Sequence, residues 1–268
     1  MLTKKERENI EEIVEQVGAF LLKLWQEAKD GRLLRVKRKE DGSPVTEADE
    51  KANEILLSFL KKNFPDEPVL SEEGGDERIK QLDNLRDKYW WLVDPLDGTK
   101  NFIRGEDCFA VFLARCFESK PQYGVLYFPA LKKLVWGEKG VGGFLNRKPL
   151  LLSTISSLAS ARIQTRSFSK APFLENKTAS LKKAVHSGDA FLKLFEGEIE
   201  GVILERKICL WDIAAPAAIL HSCGGAITDK EGKELLFSHL NPFFDGILIA
   251  SNGSIHKELI EELKALRL

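Results

Sequence analysis

Cysteine is scarce in this chain: Cys108, Cys116, Cys209 and Cys223 are all it has in 268 residues. None stands in Cys-x-x-Cys spacing, which excludes the common zinc motifs. Their apolar surroundings mark them as reduced core thiols of a cytoplasmic protein. Methionine occurs once, and glutamine and asparagine are few beside abundant Lys and Glu, a balance that leans toward a thermophilic source. No apolar run approaches the length of a membrane span, and one of the longest is interrupted by Pro216. The opening segment MLTKKERENIEE is too charged for a signal peptide. Net charge is −1 with both signs mixed. That leaves no clustered basic face for a phosphate backbone, so no nucleic-acid partner and no membrane partner is expected.

What is present is an ordinary globular composition, 43% apolar and 30% charged, on a chain long enough for a real core. Residues 5–28 carry Ile10, Ile13, Val14, Val17, Leu21, Leu24 and Trp25 at three- and four-residue steps, which predicts an amphipathic helix. Residues 31–45 read as a polar loop. A second helix is expected after Thr46, its stripe formed by Ala52, Ile55, Leu56, Phe59 and Leu60. Strands are expected at 68–70, 89–93, 109–116, 123–128 and 133–136, joined as antiparallel hairpins, with a glycine turn at 140–143. Beyond residue 150 strands and helices alternate: strand 162–165, helices 179–184 and 190–195, strand 201–204, helix 212–223, strand 247–250 and helix 254–266. The division expected is an α+β unit over 1–150 and an α/β unit over 151–268.

The chemistry concentrates in carboxylates. Asp94-Pro95-Leu96-Asp97-Gly98-Thr99 follows the apolar run Tyr89–Val93 directly. Two acids and a Gly-Thr pair at a buried strand end suit a metal ion and a bound anion, and equally suit an Asp-Pro turn. Glu72 and Glu73 close another predicted strand, or form a solvated loop. Asp49 stands three residues after Thr46, as the acid of a capping box. Asp212 opens the helix Ile213–Pro216, as an N-cap or as an acid held at a helix start. His186, His221, His239 and His256 lie outside these motifs and read as surface or core residues. With no Gly-x-Ser-x-Gly elbow and no cysteine in a basic motif, the chemistry left is oxygen-ligand metal chemistry. Carboxylate sites favour hard ions, chiefly Mg²⁺, and such sites serve phosphoryl transfer.

Four blocks in order resemble the inositol monophosphatase family of Mg²⁺-dependent, lithium-sensitive phosphatases: Val45–Asp49, Leu70–Glu73, Asp94–Phe102 and Trp211–Ala215. The resemblance covers nearly the whole chain and implies a layered αβαβα sandwich, α+β and α/β in character. It implies that Glu72, Asp94 and the Leu96 carbonyl hold one Mg²⁺ and that Asp94, Asp97 and Asp212 hold a second. A third, weaker ion would sit near Glu72. Thr99 with Asp49 would orient and deprotonate the attacking water, and the amides of Gly98 and Thr99 would cradle the phosphate. In-line attack without a phosphoenzyme and a homodimer are implied as well.

Substrate choice divides the family. Glu205, seven residues before Asp212, matches the inositol-phosphatase Glu that meets substrate hydroxyls. Thr165-Arg166-Ser167-Phe168 is similar instead to a loop of the 3′(2′),5′-bisphosphate nucleotidases, with Arg166 as a substrate contact. Their Gly-Ser-Ser-Leu-Lys segment reads His186-Ser187-Gly188-Asp189-Ala190 here, which departs from both patterns. Arg206 and Lys207 would suit the second phosphate of a fructose 1,6-bisphosphate, or simply face solvent. The expected activity is hydrolysis of inositol monophosphate or a related small sugar phosphate. A haloacid-dehalogenase-type aspartyl-phosphate chemistry fits worse, because Asp-x-x-Asp-Gly-Thr is one residue too long. A fold that has lost catalysis is disfavoured by the complete ligand set.

Overall fold

The computed structural model describes residues 1–76, 79, 85–166 and 174–264, and all of these but the Arg206 side chain. Ser167, Phe168, Ala265 and Leu266, which carried expectations above, lie outside the described residues. The first helix, α1, spans Lys4–Lys29 and starts at a capping box between Thr3 and Glu6. After a short hairpin, β1 (Val36–Arg38) and β2 (Pro44–Thr46), comes α2 over Glu47–Asn63.

Seven strands form the larger sheet in order β3-β4-β5-β6-β7-β8-β9. They are β3 (Val69–Ser71), β4 (Tyr89–Asp97), β5 (Ala110–Phe117), β6 (Lys120–Phe128), β7 (Lys133–Glu138), β8 (Gly142–Leu145) and β9 (Lys148–Pro149). A one-turn helix, α3 (Thr99–Ile103), interrupts the chain after β4. Only β3 runs parallel to its neighbour; the rest is the expected antiparallel meander. A second sheet has five strands in order β11-β10-β12-β14-β13. Its strands are β10 (Arg162–Thr165), β11 (Ser180–Lys183), β12 (Gly201–Cys209), β13 (Ala226–Asp229) and β14 (Phe243–Ser251), with helices α4 (Ser187–Phe195), α5 (Leu210–Ser222) and α6 (His256–Lys264) between and after them.

Side-chain alternation builds the layers. On β4 and β5, Trp91, Val93, Val111 and Leu113 face α1 and α2. Trp90, Leu92, Phe112 and Ala114 face the other way, into a core shared with α4, α5 and the inner face of the second sheet. On β12 and β14, Val202, Leu204, Leu248 and Ala250 point into that core, whereas Ile203, Ile247 and Ile249 point outward to α6. The result is the αβαβα sandwich.

Four local expectations are corrected. Residues 31–45 contain the β1–β2 hairpin; its strands are three residues long, and the first is exposed throughout, so no alternation marks it. Residues 180–183 form a strand and not a helix, because Arg162–Thr165 pairs with them in parallel along the sheet edge. Six residues are too few to fix a period, and pairing decides. The glycines near 140–143 belong partly to β8. A Cβ on Gly143 would stand 3.3 Å from Cys223 Cβ, so its smallness serves close approach of the helix end. Asp212 is not an N-cap: α5 begins two residues earlier, with Cys209 at the cap.

Candidate active site

The end of β4 carries the decisive local feature. Asp94 pairs with Phe112 and Asp97 with Ala110, so three steps on one strand oppose two on the other. Three steps along a regular strand would send the acids to opposite faces. The extra residue is a β-bulge, and it turns both toward the face of Phe112 and Ala110. Pro95 sits inside the bulge, where a missing N–H costs no ladder bond. Asp94 Oδ1 accepts the Leu96 N–H at 3.0 Å, which fixes its carboxylate.

Glu72 arrives on the same edge because β3 is parallel to β4. Its N–H donates to the Val93 carbonyl at 3.1 Å, one residue from Asp94. Asp212 comes from the first turn of α5, which packs on that face. Burial, and then repulsion from Glu72, Asp97 and Asp212, holds the Asp94 carboxyl well above the usual range. Asp212 is pushed up by burial and by Asp97 and Glu72, and the positive charges of Arg166 and His186 act on it in the opposite direction. Among the described residues no three His, Cys, Asp or Glu side chains already form a closed cage for an ion. The fit to a cation lies in the charge balance: buried acids that repel one another need a proton or a cation among them.

Asp49 and Thr99 meet beside this cluster. The Thr99 hydroxyl lies 2.9 Å from Asp49 Oδ1 and 3.1 Å from the Leu96 carbonyl. Asp49 Oδ2 accepts from the Thr46 N–H at 2.7 Å and from its hydroxyl at 2.5 Å. The expected capping box is therefore real, and it aims the other carboxylate oxygen at Thr99. Burial raises the Asp49 carboxyl, against the pull of these donors. Gly98 takes φ 86°, and a Cβ there would lie 2.8 Å from the Cys108 carbonyl, so the turn into α3 requires glycine.

Basic groups border the acids. Lys39, in the turn after β1, pairs with Glu72 at 2.7 Å and Glu73 at 2.5 Å. Burial raises Glu73 to about 7, although Lys39 opposes it. Lys207 stands 3.6 Å over the Phe243 ring. Glu205 is buried on β12, and Arg166 follows β10. Sequence reasoning missed His186. Its Nδ1 lies 2.8 Å from Asp97 Oδ2, and its Nε2 lies 2.9 Å from Cys108 Sγ. The signal was the altered segment 186–190, not the residue type.

Comparison with known proteins gives the family. The family model described as "Inositol monophosphatase family" matches residues 5–268. An inositol-1-monophosphatase of Synechocystis sp. is 32% identical over 95% of this chain and 87% of its own. A fructose-1,6-bisphosphatase/inositol-1-monophosphatase of Thermotoga maritima is 31% identical, over 93% and 92%. A histidinol-phosphatase of Chlorobaculum parvum is 29% identical over 93% of each chain. Among solved structures, a Thermotoga maritima IMPase superposes with a TM-score of 0.81 at 28% identity, covering 97% of each chain. Fold and relatives together define a phosphoric monoester hydrolase. The chain belongs to the inositol monophosphatase family. Among the described residues no helix is long and apolar enough to cross a membrane.

Proposed function

We propose that this protein is a divalent-metal-dependent phosphomonoesterase, with inositol monophosphate or a similar small sugar phosphate as its substrate. One observation carries the reading: the bulge in β4 turns Asp94 and Asp97 to one face, where Glu72, Asp97 and Asp212 act on Asp94 electrostatically. Glu72, Asp94, Asp97, Asp212 and the Leu96 carbonyl are the proposed ligands for two or three Mg²⁺. Bound there, magnesium would offset phosphate charge and acidify a water.

The chain's own groups account for the rest. Thr99 places its hydroxyl between Asp49 and the Leu96 carbonyl. With its proton directed to either acceptor, its oxygen is free to accept from a water. Asp49, raised by burial, is the proton store behind it. The amides of Gly98 and Thr99 are the proposed phosphate donors, and Glu205 the proposed hydroxyl acceptor.

A second reading has its own observation. Arg166 acts on Asp212, and Lys207 acts on Asp41 of the β1–β2 turn, so positive charge borders the site on two sides. That suits a bisphosphorylated substrate, a nucleotide 3′,5′-bisphosphate or fructose 1,6-bisphosphate. The test is kcat/KM for inositol 1-phosphate, fructose 1,6-bisphosphate, histidinol phosphate and adenosine 3′,5′-bisphosphate, side by side with Mg²⁺. A preference for inositol 1-phosphate supports Glu205 in its role. A preference for either bisphosphate moves the assignment to Arg166 and Lys207, and a preference for histidinol phosphate removes the sugar-phosphate reading.

A further inference from the structure

We propose that the far end of α5 carries a second binding site, a cavity between Lys120, Lys139 and His221 that takes a small organic anion, a carboxylate or phosphate group on an apolar body.

Four segments distant in sequence meet there. Lys120 opens β6, Lys139 follows β7, His221 stands in the last turn of α5, and Glu234 lies in the connection between β13 and β14. All four line one cavity of about 200 Å³. Pockets for drug-sized ligands run to about 300–1,000 Å³, so this one suits a smaller molecule. It is separate from the proposed metal site. Asp212 is in the first turn of α5 and His221 in the last, about 13 Å apart along an axis that rises about 1.5 Å per residue.

The charges around the cavity do not balance. Glu234 pairs with Lys120 at 2.6 Å and offsets one base. Lys120 first, then His221 and Lys139, hold the Glu234 carboxyl low, so all three bases reach the same carboxylate. Among the described residues Lys139 has no ion-pair partner and the His221 ring no hydrogen-bond partner. Partial burial holds the His221 imidazole below its usual range; Lys120 and Lys139 push the same way, and Glu234 opposes them. These three are the other charged groups that line the cavity. Two lysines beside an imidazole, with one carboxylate among them, attract a further negative charge.

The negative end of α5 does not oppose that charge. Its last carbonyls are already taken: Ser222 Oγ donates to Ile219 at 2.8 Å, and the Gly225 N–H to Leu220 at 2.8 Å. Beside the bases the wall is apolar, formed by the buried Pro121, Leu235 and Phe237. An inorganic ion would leave that wall in contact with water. A ring attached to the anionic group covers it, and apolar walls with a few placed polar groups are the usual make-up of a small-molecule site.

The test is nuclear magnetic resonance of the full chain with ¹⁵N-labelled histidine, in EDTA so that no metal-held anion site competes. Benzoate and phenylphosphonate are the probes and benzamide the uncharged control, each titrated to about 10 mM. The His221 signals are identified by their loss in His221→Gln. At least one probe should shift them with a Kd of about 1 mM or below and raise the ring's titration midpoint, while benzamide does neither. Benzoate alone would identify the anion as a carboxylate, phenylphosphonate alone as a phosphate. In Lys139→Ala the Kd should rise about fivefold, the upper end for one exposed charge. A His221 ring that neither probe shifts overturns the proposal. So does an equal shift with benzamide, or a Kd unchanged in Lys139→Ala. The native chain carries the deciding signal, so a variant that fails to fold does not protect the proposal.

Discussion

At the residue scale the account stands on Asp97 and Thr99. Asp97→Asn keeps the shape and removes a charge from the proposed ion. Activity with saturating Mg²⁺ should fall at least ~10³-fold, the scale of several kcal/mol of lost electrostatic stabilisation. Near-normal turnover would remove Asp97 from the site. Thr99→Ala should lower kcat and spare KM, because the hydroxyl serves the water and not the bound substrate. A change confined to KM would contradict that role. The acids of this site were legible in the sequence because each stands in a short motif at a strand end or helix start. His186 was not. Its meeting with Asp97 and Cys108 depends on how the start of α4 lands beside the β4 bulge, across sequence separations that no motif spans.

At the element scale the bulge in β4 and the seat of α5 set the geometry. Helix α5 reaches the larger sheet so closely that a Cβ on Gly124 of β6 would lie 2.3 Å from the Ala215 carbonyl oxygen. Backbone cannot give way as a side chain does. Gly124→Ala should therefore cost about 1–3 kcal/mol in denaturant unfolding. It should also raise the Mg²⁺ concentration needed for half-maximal activity, since Asp212 rides on the first turn of α5. Unchanged stability and unchanged Mg²⁺ requirement would show that the helix seat tolerates a methyl group. The long helices and the meander were legible from period and turn residues. The bulge was not, because its three-against-two register exists only once β5 is paired. The edge strand β11 escaped for the same reason: four residues, two of them lysines, take their form from β10.

At the scale of the whole molecule, the shared core between the two sheets buries a cluster of acids that folding alone does not neutralise. Burial raises Glu73 from 4.5 to about 7, Lys39 opposing, so the folded chain keeps a proton that the unfolded chain gives up. Burial would lower His186, but Asp97 outweighs it and raises the imidazole from 6.5 to about 11. In each case the folded state binds more protons, so stability declines as pH rises, from 4.5 to about 7 for Glu73 and from 6.5 to about 11 for His186. In EDTA the melting temperature should be lower at about pH 8 than at about pH 5, and a divalent ion should narrow the gap. Equal melting temperatures in EDTA would contradict the charge balance described for the site. The layered architecture was legible through its family blocks and alternating cores, whereas the substrate was not, because Glu205, Arg166 and Lys207 support different ligands. The most direct test of the central claim is phosphate release from inositol 1-phosphate by metal-stripped protein, before and after Mg²⁺ is restored, in the native chain and in Asp97→Asn. Release should return with Mg²⁺ in the native chain alone. Release that persists in EDTA, or that returns equally in Asp97→Asn, would contradict it.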